Sequence, residues 1–208
     1  MTNGSQRTIS EEEKEALKFL ERDYNQCFQQ MRHYDAQIFD ILKFMFTAYT
    51  ALIGVALGLY QFGLKEAKDF SAPAIGALVV GLLIGLFMFA LSIRSRVYFV
   101  QIVRYINEQR GFFYQFKPMG FEDKVKMYTN HKQPPYFNWR SSHLWLNYII
   151  SVLNSILLGV LLYIVLPCSW KTVIGGTLLL FIVQLIIAIV YLKTRENKSA
   201  SKAVFGRE

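Results

Sequence analysis

From residue 71 to residue 93 the chain carries no Asp, Glu, Lys or Arg. A helix of that length reaches about 34 Å, enough to cross a hydrocarbon core about 30 Å thick. Three further runs share the property, 44–64, 144–166 and 172–192, each 21 to 23 residues long. Such runs predict an all-α polytopic membrane protein of four transmembrane helices arranged as two hairpins. At 53% hydrophobic, 15% aromatic and only 18% charged residues, the chain is too apolar for an ordinary soluble domain.

The charges choose a side. Of the 23 Lys and Arg residues, 20 fall in the stretch before residue 44, in the 94–140 connection or after residue 192; only Lys65, Lys68 and Lys171 fall in the two short turns. The positive-inside rule then places both termini in the cytoplasm, and a bacterial inner membrane is the expected location. The formal net charge of +8 is thus a topology signal; no nucleic-acid recognition motif accompanies it, and direct nucleic-acid binding is not expected. Residues 1–10 lack a basic region followed by an apolar one, so no cleaved leader is expected there. Cys27 falls on the cytoplasmic side and Cys168 in an outer turn, so no disulfide joins them.

In chain order, residues 1–9 are polar and expected to be disordered. Ser10 followed by Glu13 forms a capping box, with Glu11 and Glu12 suiting the helix dipole, so a helix begins here. Its apolar residues repeat in heptads, Leu17, Tyr24, Met31, Ile38 and Met45 on one position and Leu20, Cys27, Tyr34 and Ile41 on the other. No Gly or Pro lies between Ser10 and Gly54, so this amphipathic cytoplasmic helix (10–43) is expected to continue unbroken into the first span. Its seam either meets another copy or packs on its own chain. The second span is likewise expected to run on past Arg94 and Arg96 as helix to residue 110, where Gly111 offers a C-cap.

Small residues four apart, Gly54 and Gly58 in the first span and Ala77, Gly81 and Gly85 in the second, point to close helix packing in lipid. Equal-depth pairing about the first turn sets Gly54 and Gly58 on either side of Gly81. The 111–143 segment is dense in aromatics. Its Phe112, Phe121, Tyr136 and Trp139, with Arg140, form a candidate partner or ligand surface, lying at the headgroup level or packed on the 10–43 helix. In the second hairpin, Asn147, Ser151, Asn154 and Ser155 share one helical face, and pairing through the turn puts Gln184 level with Asn154. Polar side chains at membrane depth face protein or water, so this stripe is either a hydrogen-bonded clamp or the lining of a conduction path. Residues 193–208 read as a loose basic tail.

The sequence holds no phosphate-cradling glycine loop, nucleophile elbow, HExxH or paired CxxC, and its His33, His131 and His143 are scattered. No enzyme, metal site or cofactor is expected. The apolar runs carry no acid for a proton relay.

The layout, a cytoplasmic helix leading into residues 40–64, two hairpins and a cytoplasmic 94–140 connection, resembles the small membrane effectors of bacterial anti-phage operons. These are the pore-forming types with two or four spans that accompany nucleotide-second-messenger systems. It is also similar in span count to the membrane subunit of two-gene defence systems such as Kiwa. The resemblance implies a homo-oligomer of the inner membrane that senses or executes infection, with the lipid bilayer and a soluble cytoplasmic protein of the same operon as partners. The alternative is a non-conducting membrane scaffold that recruits a soluble partner.

The charge count generates a topology prediction. Green fluorescent protein fused after residue 208 should fluoresce, and alkaline phosphatase fused in the 65–70 turn should be active. The opposite pair of readings overturns the assignment.

Overall fold

The computed structural model describes residues 10–66, 69–115, 122, 124, 126, 128–166 and 169–198, with side chains to residue 196 in the last stretch. Residues 1–9, residues 116–121 with Phe121 among them, Cys168 and those beyond residue 198 lie outside them. Among the described residues the regular structure is four α-helices: α1 (Glu11–Glu66), α2 (Ser71–Tyr114), α3 (Ser142–Val165) and α4 (Trp170–Lys198). All four are long and apolar enough to cross a membrane.

The caps explain where the helices start. The Ser10 backbone N–H donates to Glu13 Oε2 (2.9 Å) and the Glu13 N–H to Ser10 Oγ (3.1 Å), the reciprocal bonds of a capping box. With three acids in its first turn and no breaker before Gly54, α1 continues for 56 residues, about 84 Å. Ahead of α2, the Asp69 carboxylate accepts from the Ser71 N–H (2.9 Å) and hydroxyl (2.5 Å). Pro73 falls in that first turn, where its missing N–H has no cost. α2 then runs through the end of its apolar stretch and on to Tyr114, four residues past the expected stop, because Gly111 remains within the helix.

In lipid no hydrophobic force draws helices together, so packing depends on fit and on interhelical hydrogen bonds. α1 packs along α2, α3 fills the angle between them, and α4 rests mainly on α3, touching α2 lightly. The buried face of α1 recurs at helical spacing through Ile38, Ile41, Met45, Tyr49 and Ala56. α4 buries little beyond Val173, Gln184, Ala188 and Leu192, and presents Ile174, Leu178, Ile182, Ile186 and Val190 outward. Outward apolar residues of this kind also cover the other helices, as a lipid-facing surface requires.

Three expectations are corrected. Gly54 and Gly58 do not pack in the first hairpin: both are exposed, with nothing among the described residues within 4 Å of where a Cβ would stand. A Cβ on Gly81 would instead meet Leu52, and one on Gly85 would meet Tyr49. The reason is azimuth. Gly54 follows Leu52 by 200° around the helix, and the seam that carries Ile41, Met45 and Tyr49 faces inward. Ala77, on the opposing helix, is half-buried. Second, the tail is not loose from residue 193, since α4 continues to Lys198 and Glu196 is bonded on two sides. Third, Tyr136 is fully buried and offers no surface, because its ring lies under the Arg104 guanidinium, 4.6 Å from the cation.

From Tyr24 onward the heptad seam of α1 packs on its own chain, while Leu17 stays exposed. Tyr34 stacks on Tyr98 at 5.5 Å, and the Ser95 hydroxyl reaches the Tyr34 carbonyl and Gln37 Oε1 at 3.3 and 3.2 Å. Asp23 Oδ2 accepts from the Tyr105 hydroxyl (2.7 Å) and from Gln109 Nε2 (2.8 Å). Burial and that carboxylate raise the Tyr105 pKa, so the phenol stays the donor at neutral pH.

The Glu196 contacts generate a stability prediction. Hydrogen bonds to charged groups contribute roughly 1.5–3 kcal/mol, and the partial exposure of Glu196 reduces this to about 1–2 kcal/mol. Glu196→Ala should therefore quicken proteolysis within 115–141 while leaving the spans protected. An unchanged cleavage pattern would show that the helix end is held by something else.

Candidate functional site

Two clusters of polar side chains are buried, one at membrane depth and one at the basic end of the bundle. The first centres on Asn154. An amide inside a bilayer has no water to turn to, and the helix backbone has already satisfied itself, so its partners must come from neighbouring helices. Asn154 finds them on all three. Its Oδ1 accepts from the Tyr49 hydroxyl of α1 (2.6 Å), while Nδ2 lies 3.2 Å from the Gly85 carbonyl of α2 and 3.0 Å from Gln184 Oε1 of α4. The Tyr49 hydroxyl also sits 3.3 Å from the Gly81 carbonyl. Gly85 is what allows this meeting: a Cβ there would stand 1.5 Å from the Tyr49 hydroxyl oxygen and 2.2 Å from Asn154 Oδ1.

The seam continues toward the basic end. Ser151 and Ser155 return their hydroxyls to backbone carbonyls one turn back, those of Asn147 (2.9 Å) and Ser151 (2.8 Å). The Ser92 hydroxyl meets Asn147 Oδ1, bridging α2 and α3. All five residues of the predicted stripe are thus buried and brought together, inside one protomer and not on its outer surface. Two donors in the seam, Asn147 Nδ2 and Gln184 Nε2, have no partner among the described residues. Beyond Ser155 the core turns apolar, with Leu157 and Ile164 buried and Leu161 packed on them.

The second cluster straps the connection onto α2. Arg96 Nε and Nη2 donate to the Tyr136 and Pro135 carbonyls (3.2 and 2.9 Å), Arg104 Nε to the Pro134 carbonyl (3.0 Å), and Asn107 Nδ2 to the Gln133 carbonyl (2.9 Å). Arg104 Nη2 also meets Glu196 Oε1 at 2.5 Å, and Glu196 Oε2 accepts the Tyr136 N–H at 2.8 Å. Burial, with the nearby Arg104 charge, pulls the Arg96 pKa down to about 10, so it remains a cation at neutral pH. His143 at the start of α3 completes the junction through Asp35 of α1, Nε2 to Oδ1 at 2.8 Å.

Of the predicted partner surface, Trp139 and Arg140 are exposed and Phe112 is half-buried. Trp139 lies edge-on to Phe137 at 5.1 Å. The residues that organise both clusters were not singled out from sequence: Tyr49, Ser92, Arg96, Arg104 and Glu196. Two signals do point to some of them. Arg96 and Arg104 stand eight apart, on one helical face, and Glu196 is the single acid between residues 193 and 207. Comparison with protein-family models, with curated proteins and with solved structures finds no match to this chain.

The node generates a graded mutational series. Gly85→Ala drives a methyl into Tyr49 and Asn154, where overpacking costs about 1–3 kcal/mol and the displaced hydrogen bonds add to it. Asn154→Leu removes three interhelical bonds worth about 0.6–1.7 kcal/mol each and orphans their partners. Gly81→Ala meets only the ends of the Leu52 and Leu157 side chains and should cost less. Gly54→Ala should be neutral or slightly stabilising, since Ala is the better helix former. Thermal unfolding in detergent followed by size-exclusion checks the order. An equal loss for Gly54→Ala and Gly85→Ala would refute the packing described.

Proposed function

We propose that this chain is the closed form of a regulated membrane-perturbing effector or sensor: a homo-oligomer of the bacterial inner membrane, both termini cytoplasmic, with no catalytic chemistry of its own. The observation that carries the reading is the polar seam running from Ser92 and Asn147 to Asn154 and Gln184, which keeps two amide donors unspent. A clamp serving stability alone would satisfy its donors. Unspent donors favour the entry of water once the helices part, and the apolar stretch around Leu157, Leu161 and Ile164 supplies the dewetted barrier that holds the path shut.

Two further features support regulation and assembly. α2 is one uninterrupted helix from its apolar run to the strapped connection, so a change at Arg104 is carried rigidly to Gly85. The exposed Gly54 and Gly58 give α1 a shallow outer face suited to a neighbouring copy. The anti-phage setting rests on the resemblance of the layout.

A second reading, a non-conducting scaffold that recruits a soluble partner, is favoured by the exposed side chains of Trp139 and Arg140.

Potassium efflux from expressing cells, with planar-bilayer recordings of the full chain, separates the two. Wild type should conduct little at rest. Leu157→Ser, which extends the polar seam into the barrier, should raise efflux several-fold. Silence from both, together with a soluble protein that copurifies with wild type and is lost from Trp139→Ala, would overturn the effector reading in favour of the scaffold.

A further inference from the structure

Between α1, α2 and the connection lies a cavity of about 570 Å³. Phe28 and Met31 of α1 face Phe99, Val103 and Ile106 of α2 across it, while Arg110 and Lys126 stand in its lining and, among the described residues, no carboxylate does. Arg110 is held in place: its guanidinium packs 5.8 Å from the Tyr24 ring and 5.7 Å from the Tyr128 ring, and Nε donates to the Tyr24 hydroxyl at 3.0 Å. Its two terminal nitrogens have no partner among the described residues. A positioned cation at one end of an apolar hollow has the makings of a site for a molecule that is greasy along its length and acidic at its tip.

Shape and location narrow the chemistry. From Phe99 to Arg110 the α2 wall extends about 16 Å along the helix axis, long and narrow in proportion to the volume. Met31, Val103 and Ile106 are adaptable or branched aliphatic surfaces, better suited to a flexible chain than to a flat ring that needs two parallel aromatic faces. Phe99 stands six residues past Ile93, about 9 Å from the end of the apolar run, so the greasy end of the cavity is the end nearer the lipid.

We propose that this cavity binds a single-chain anionic amphiphile, with the acyl chain between Phe28, Met31, Phe99, Val103 and Ile106 and the acidic headgroup on Arg110. A free fatty acid and a lysolipid phosphate share this chemistry. The site stands whether or not the spans conduct.

The test uses the full chain in zwitterionic nanodiscs and a photoreactive 12-carbon carboxylate whose labelled peptides are mapped by mass spectrometry. Labelling should fall on residues 28–31 and 99–110. Dodecanoate, dodecyl phosphate or both should displace it about tenfold more effectively than dodecanol. Dodecanoate displacing at lower concentration than dodecyl phosphate assigns a fatty acid, and the reverse order assigns a lysolipid. Arg110→Gln should weaken labelling about tenfold, and Ile106→Trp, which fills the cavity, should abolish it. Val103→Phe serves if Ile106→Trp fails to fold, while Arg195→Gln at the exposed end of α4 should change nothing. Equal displacement by dodecanol, or labelling confined to the lipid-facing residues of the four apolar runs, overturns the proposal.

Discussion

A side-chain amide in hydrocarbon has to be met by another protein group, and at Asn154 this requirement sets the arrangement of all four helices. The apolar surfaces of α1 to α4 resemble lipid too closely to choose one register over another. Asn154 does choose, because its oxygen and nitrogen are satisfied only where Tyr49, Gly85 and Gln184 arrive together. Each bond is worth little in a bilayer, so the node specifies geometry more than it supplies stability. Gly85 completes the specification by exclusion, leaving room for a hydroxyl and an amide where any side chain would collide.

At the basic end the same logic runs with charge. Arg96 and Arg104 are buried cations, tolerated because backbone carbonyls of Pro134, Pro135 and Tyr136 surround them and Glu196 supplies a counter-charge. The stacked Arg104 and Tyr136 make the connection part of the fold and no mere tether. The two clusters share α2, whose length between Gly85 and Arg104 contains no glycine or proline, so membrane and polar parts move as one rod or not at all.

Much of this is legible in the residues. Charge-free runs reveal the helices, the Ser10–Glu13 pair reveals where α1 starts, and the single face of Asn147, Ser151, Asn154 and Ser155 shows where membrane-depth polarity concentrates. What is not legible is azimuth. Gly54 and Gly58 carry the same small-residue spacing as Gly81 and Gly85, and nothing local distinguishes a glycine on the outer face of the bundle from one facing Tyr49. Tyr49 itself reads as one more aromatic in an apolar run until its partner 105 residues later is known. Aromatic density likewise fails to separate buried Tyr136 from exposed Trp139, since only a cation arriving from α2 decides which ring is covered.

The Glu196 ion pair bears on how the molecule is made. A ribosome completes Arg104 and the Tyr136 segment long before it reaches the acid that joins them, so the nascent chain carries an uncompensated guanidinium until its final helix has been threaded into the bilayer. The tie between α4 and the connection thereby forms only once α4 has been made. A transcript broken within α4 yields three helices whose connection keeps its Arg96, Arg104 and Asn107 bonds but lacks the carboxylate that ties Arg104 to the Tyr136 N–H, leaving that segment more open to proteases.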